Sequence, residues 1–182
     1  MGGSVVVLTG AAGVFGQAVA LHLGGAGCRL LLVDLMQPDW DGESDAVSIG
    51  NVDLTLPEHA QEVVNQALAY FGQIDAVVNM LDESAQGVLR AVNMCQAVLP
   101  QFQAQEGGGI VNMGHSMLKV TNALAQENKA EGIRINVVLP SAVEALADPW
   151  LSPQAVADAI AFLLSPDAAD VHGAGVSVDG RL

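Results

Sequence analysis

The chain has 182 residues, 51% hydrophobic and only 4% aromatic, so one domain spanning residues 1–182 around an aliphatic core is expected, and extensive disorder is excluded. Six basic residues stand against 20 acidic ones, a formal net charge of −14, which repels nucleic acid and anionic membrane and leaves an anionic ligand to be held by backbone dipoles. No apolar run reaches membrane-spanning length and no secretory leader is visible, so a cytoplasmic protein is expected, with Cys28 and Cys95 as reduced, buried thiols.

Apolar strand patterns alternate with helical ones from end to end. Residues 5–8 form a continuous apolar run and read as a strand, followed by a helix over 14–23 and a second strand at Arg29–Val33. Residues 36–45, with Pro38 and Gly42, read as a loop where strict alternation would place a helix. A short strand, Ala46–Ile49, leads to Asn51-Val52-Asp53, and Pro57 opens a helix through Phe71. A strand at 74–79 precedes a helical period over 84–105, with Leu89, Val92, Cys95, Gln96 and Leu99 roughly on one side. Three glycines, 107–109, stop that helix before a strand at 110–113. A helix over 121–130 is closed by Gly132, and a strand over 133–139 ends at Pro140. Ser152 as N-cap and Pro153 at the first helical position open a last helix over 154–164, and 176–178 read as a final strand. Such alternation predicts an α/β fold: a parallel sheet buried on both faces, in three layers.

The first strand runs into Thr9-Gly10-Ala11-Ala12-Gly13-Val14-Phe15-Gly16, with glycines spaced by three, and Asp34 ends the second strand 18 residues after Gly16. Each part has a physical use. Gly10 permits a tight turn, Gly13 lets backbone approach a pyrophosphate, and Gly16 lets the helix pack closely on the sheet. The helix start offers N–H groups to phosphate, and the Asp34 carboxylate suits the hydroxyls of an adenosine ribose. Thr9, Gly10, Gly13, Val14, Phe15, Gly16 and Asp34 are therefore candidate dinucleotide-binding residues.

Further along, Asn51-Val52-Asp53-Leu54-Thr55, Phe71-Gly72-Gln73-Ile74-Asp75, Gly108-Gly109-Ile110-Val111-Asn112, Gly132-Ile133-Arg134-Ile135-Asn136 and Val178-Asp179-Gly180 follow in order. With the glycine turn, these resemble the short-chain dehydrogenase/reductase family nearly end to end. The resemblance implies a Rossmann-type doubly wound parallel sheet and a nicotinamide cofactor, with Val52 and Asp53 near adenine and Asn79 and Pro140 at strand ends along the site. Asp34 favours NAD over NADP, because a carboxylate there repels a 2′-phosphate. A small carbonyl or alcohol is the implied substrate, and self-association through 84–105 the implied assembly, a homo-oligomer.

The same resemblance is broken where the family's chemistry resides. That chemistry uses a Tyr and a Lys four residues later on the helix after the fifth strand, a Ser at that strand's end and an Asn on the preceding helix. The chain's one tyrosine, Tyr70, precedes the fourth strand and reads as a packing residue. Only eight residues separate Asn112 from Thr121; His115 falls at the Ser position, Ser116 follows it, and Lys119 is out of register with the family Lys. Asn93 follows Val92 as the family Asn does, whereas counting back from 96–100 puts Gly87 there. Eleven residues separate Pro140 from Ser152, so the segments after the fourth, fifth and sixth strands are all short. The candidate catalytic residues are Asn93, His115, Ser116 and Lys119. Three readings stay open: a conventional oxidoreductase whose missing residues lie in segments outside these 182; a loop-trimmed NAD-binding or assembly protein without turnover; and a trimmed chain with His115 as general acid and Lys119 holding the ribose or polarising a carbonyl. His22, His59 and His172 lie apart in sequence, and no metal site is expected.

Overall fold

The computed structural model describes residues 2–42, 45–80, 82–129, 132–141 and 151–179. Among them, seven strands form one parallel sheet: β1 (Val5–Thr9), β2 (Arg29–Val33), β3 (Ala46–Ile49), β4 (Ala76–Asn79), β5 (Gly108–Met113), β6 (Ile133–Pro140) and β7 (Gly175–Val178), in the order β3-β2-β1-β4-β5-β6-β7. The chain starts in the middle, winds outward through β2 and β3, then returns to the other side of β1 as β4. Strand order therefore reverses between β1 and β4, the place where open α/β sheets bind ligands beyond their strand C-termini.

Among the described residues five α-helices flank the sheet: α1 (Val14–Gly25), α2 (Pro57–Phe71), α3 (Ala85–Ala104), α4 (Leu118–Glu127) and α5 (Pro153–Leu164). Period-2 alternation sorts each strand between two cores. Val6, Leu8, Leu30, Leu32 and Val78 pack with Val19 and Leu23 of α1 and Val156 and Ile160 of α5. Val7, Leu31, Val33, Val77 and Ile110 pack with Val63 and Val64 of α2, Val98 and Phe102 of α3 and Ala125 of α4. Both faces are covered, so the three-layer expectation holds and the strands read as unbroken apolar runs. Residues 36–42 and 45 of the loop expected after β2 carry no helix, with Pro38 buried and Trp40 packed against the first core, while residues 43 and 44 lie outside the described residues.

Some boundaries differ from the sequence expectation. β4 begins at Ala76 rather than residue 74, because Ile74 packs among the α2 and α3 side chains and the Asp75 carboxylate accepts the Val5 N–H at 2.7 Å. The helix expected from residue 121 begins at Leu118, after a 3-10 turn at His115–Met117; its expected end, Ala130, lies outside the described residues. Of the α3 residues expected on one side, Cys95 and Leu99 are buried, with Ala91, Met94, Val98 and Phe102, whereas Leu89 and Gln96 face solvent. Tyr70 is not a packing residue: it is 59% exposed and rests only tilted against Phe71, ring centroids 6.3 Å apart.

Candidate functional site

Because every strand is parallel, the ends of β1, β4, β5 and β6 share one edge, and most predicted site residues gather along it. Gly10 leaves β1 at φ +70°, and a Cβ there would lie 2.2 Å from the Met80 carbonyl oxygen, so the turn accepts only glycine. A Cβ on Gly16 would lie 2.2 Å from the Gly10 carbonyl and 2.8 Å from the Ala11 Cα. The close packing expected of Gly16 is thus against its own turn, not the sheet. Gly13 is exposed at φ −72° as N-cap of α1, where a Cβ would meet nothing nearer than 3.6 Å. No side chain caps α1 and no acidic residue lies in its first turn, unlike α3 and α5, which Ser84 and Ser152 cap. Val14 is 59% exposed beside this start, while the Phe15 ring is buried in the core, leaving its backbone alone for ligand contact.

Asp34, half-buried at the end of β2, accepts the Ala12 N–H at 2.9 Å and the Met36 N–H at 3.4 Å, so it braces the glycine turn from the side. The Val52 N–H donates to the Asp34 carbonyl at 3.1 Å, which ties the segment after β3 to the end of β2. Asp53 accepts the Thr55 N–H at 3.0 Å and the Thr55 hydroxyl at 2.8 Å, and these bonds hold its carboxyl below the ordinary value. Asn93 is also reassigned. Its buried Nδ2 donates to the Leu54 carbonyl at 2.9 Å and the Thr55 carbonyl at 3.1 Å, so it ties α3 to the loop after β3 rather than serving proton transfer.

Thr9 and Asn79 belong to a buried chain that the sequence did not announce. The Thr9 hydroxyl donates to Asn79 Oδ1 at 3.1 Å, Asn79 Nδ2 to Asn112 Oδ1 at 2.9 Å, and Asn112 Nδ2 to Thr121 Oγ1 at 3.1 Å. All four side chains are at most 2% exposed, and Thr9, Asn79 and Asn112 are paired neighbours on adjacent strands. Any ligand contact by Thr9 or Asn79 would therefore use backbone atoms. Cys95 sits against the chain, its thiol 3.7 Å from Asn112 Oδ1, and burial pushes it up to about 12. Pro140 ends β6, paired with Val178 and buried.

His115 and Ser116 occupy the turn after β5, both exposed, with Lys119 exposed in the first turn of α4. Glu83, which sequence reasoning missed, reaches this turn from the β4–α3 connection. Its Oε1 accepts the His115 N–H at 2.6 Å, and its Oε2 accepts the Ser116 N–H at 2.9 Å and the Ser116 hydroxyl. Among the described residues no group of three or more His, Cys, Asp or Glu could hold a metal, and no helix is long and apolar enough to cross a membrane. Neither Cys28 nor Cys95 forms a disulfide; both are buried. A cavity of about 220 Å³ lined by Val6, Cys28, Asp75, Gly109 and Arg134 lies at the opposite, N-terminal edge of the strands, away from these groups.

Known proteins share this architecture. The family model for short chain dehydrogenase matches residues 4–80. The chain is 26% identical to 2-(R)-hydroxypropyl-CoM dehydrogenase of Xanthobacter autotrophicus, with 97% of both chains covered, and 24% identical to a 3-oxoacyl-[acyl-carrier-protein] reductase of Thermotoga maritima, covering 99% of this chain and 98% of that one. The first alignment spans 242 positions against the 182 residues here, so the extra length of that relative falls in internal segments. The structure of a 3-ketoacyl-(acyl-carrier-protein) reductase from Brucella melitensis complexed with NADH superposes with a TM-score of 0.81 at 22% identity, covering 98% of each chain.

Proposed function

We propose that this chain, which belongs to the short-chain dehydrogenase/reductase family, binds NAD where strand order reverses and serves hydride transfer between that cofactor and a small carbonyl or alcohol. One observation carries the reading: the β1–α1 turn is shaped for backbone to meet phosphate. Gly10 is pinned by Met80, Gly16 by Gly10, and between them Gly13 and the uncapped start of α1 stand open to solvent. The residues present fit a dinucleotide. Asp34 stands beside the turn for a ribose and would repel a 2′-phosphate, which favours NAD over NADP. Asn93 holds the Asp53 loop beside it for the adenine.

When bound, the nicotinamide supplies or accepts the hydride. The chain's own part is to orient both reactants and to manage the proton. His115, exposed in the turn after β5, carries an imidazole that could give or take a proton, with Ser116 next to it as a hydroxyl for a carbonyl oxygen. Lys119, exposed at the start of α4, is a further cation on this edge. Relatives named as a reductase of 3-oxoacyl groups and a dehydrogenase of a hydroxypropyl group support the carbonyl/alcohol class.

A second reading, dinucleotide binding without turnover, is favoured by Tyr70, which lies exposed on α2, away from the turn after β5. Fluorescence titration with NADH separates the possibilities. The wild-type chain binds, and Gly13→Val, whose Cβ meets nothing nearer than 3.6 Å, does not. Absence of wild-type binding overturns both readings. NADH oxidation with a panel of ketones and aldehydes, lost in His115→Gln with cofactor binding retained, supports the enzyme. Binding with no turnover across the panel supports the second reading. The proposed cytoplasmic homo-oligomer would use α3, whose outer face exposes Leu89 among Gln86, Gln96 and Gln103; sedimentation velocity tests it.

A further inference from the structure

Two short connections on the ligand edge are fastened to each other by one side chain. β4 reaches α3 through residues 80–84, and β5 reaches α4 through 114–117. Glu83 on the first and His115 and Ser116 on the second are 32 and 33 residues apart in sequence, yet two carboxylate oxygens meet two consecutive amides and the Ser116 hydroxyl. His115 Nδ1 stands 3.6 Å from the same carboxylate. Burial alone raises the Glu83 carboxyl; the Ser116 hydroxyl, the Ser116 and His115 amides and the His115 ring outweigh it and hold it below the ordinary value. Glu83 is therefore ionised at neutral pH, with both oxygens engaged. Asp82, on the same segment, pairs with Arg90 of α3 at 3.4 Å, and Lys119 is exposed in the first turn of α4.

A dinucleotide whose pyrophosphate lies at the start of α1 and whose adenosine lies toward Asp34 must extend its other end past β4 and β5. We propose that Glu83 is the positioning residue for that nicotinamide end, clamping the turn after β5 so that His115 and Ser116 are already in place when the ligand arrives. The proposal rests on the dinucleotide reading. Without the clamp, the turn must be ordered at the expense of binding, and that loss falls on the nicotinamide half alone.

The test titrates NADH and ADP-ribose, which lacks the nicotinamide, into the wild-type chain, Glu83→Gln and Glu83→Ala. The expected result is ADP-ribose affinity within about twofold throughout and NADH affinity in Glu83→Ala weakened about tenfold or more. Glu83→Gln, with one acceptor oxygen, falls between. In the wild-type chain, the His115 and Ser116 amide resonances shift together on acidification, at a midpoint below the ordinary glutamate value. Equal NADH affinity in wild type and Glu83→Ala, or equal loss of both ligands in a folded variant, overturns the proposal. So do amides at 115 and 116 that exchange as freely as an open loop, a measurement that decides the matter even if the variants fail to fold. Failure of the wild-type chain to bind either ligand removes the dinucleotide reading itself, and this proposal with it.

Discussion

Replacing Asn112 with leucine tests whether the buried chain along the last rung of the sheet holds the ligand edge together. Asn112→Leu keeps the volume nearly constant but removes both amide atoms. Thr121 Oγ1 loses its 3.1 Å donor, and Asn79 Nδ2 keeps only the Cys95 sulfur at 3.6 Å. Each of the two buried polar groups left without a proper partner costs about 1–3 kcal/mol, and the added apolar atoms return about 1 kcal/mol, for a net loss of about 1–5 kcal/mol. For a chain of this size that is a fall in Tm of about 2–20 °C. The assay is calorimetric unfolding of Asn112→Leu, Asn79→Leu and the double variant. The double variant should be less destabilised than the sum of the singles by about 1 kcal/mol or more, since either substitution already breaks the same bond. A Tm within about 2 °C of wild type, or strict additivity, refutes the reasoning and makes the chain incidental.

Asn93→Ala should lower AMP affinity and leave any turnover number unchanged, because the side chain holds the carbonyls of Leu54 and Thr55; a fall in turnover with intact AMP binding would return it to the chemistry. Cys28 and Cys95 should resist iodoacetamide in the native protein at pH 8 and react on unfolding, since burial raises both thiols; rapid native labelling of Cys95 would contradict its burial. Acid should destabilise the protein through Asp53, Asp82 and Glu83. Their folded carboxyls are depressed, so their contribution is complete above the ordinary carboxyl value, about 4, and fades as pH falls through the lower folded values. Urea titrations from pH 6 to pH 3 should show this loss, and Glu83→Gln should flatten part of it.

What was legible in the chain was whatever local chemistry decides. Val5, Leu30 and Val77 sit in unbroken apolar runs that only a doubly covered parallel strand explains, and Pro57 and Ser152 mark helix starts by their own backbone and side-chain preferences. The glycine turn was legible because its requirements are steric and lie within a few residues. What depends on distant partners was not. An acidic residue in a short loop carries no sign that it will grip amides 32 residues away, so Glu83 passed unnoticed and the early start of α4 with it. Asn93 looked catalytic by its neighbour Val92, but its partners lie 39 and 38 residues back, in a loop whose approach the sequence does not state. Thr9 and Asn79 read as ligand contacts because strand ends face the cleft; period-2 alternation instead turns their side chains inward, where only another polar side chain can satisfy them.

The bare start of α1 has a consequence for how the protein responds to salt. Proteins that grip phosphate with lysine and arginine lose affinity as ionic strength rises, because added ions compete for the same charges. In the proposed binding mode the donors would be backbone N–H groups at a helix end with no acidic or capping side chain, on a chain whose net charge is −14. Long-range repulsion opposes a dinucleotide's approach, and the short-range contacts that hold it are dipolar. Raising ionic strength from about 20 to about 200 mM screens the repulsion more than the contacts, so affinity should stay level or increase. A steep decline would mean that cationic side chains, not the helix, carry the phosphates.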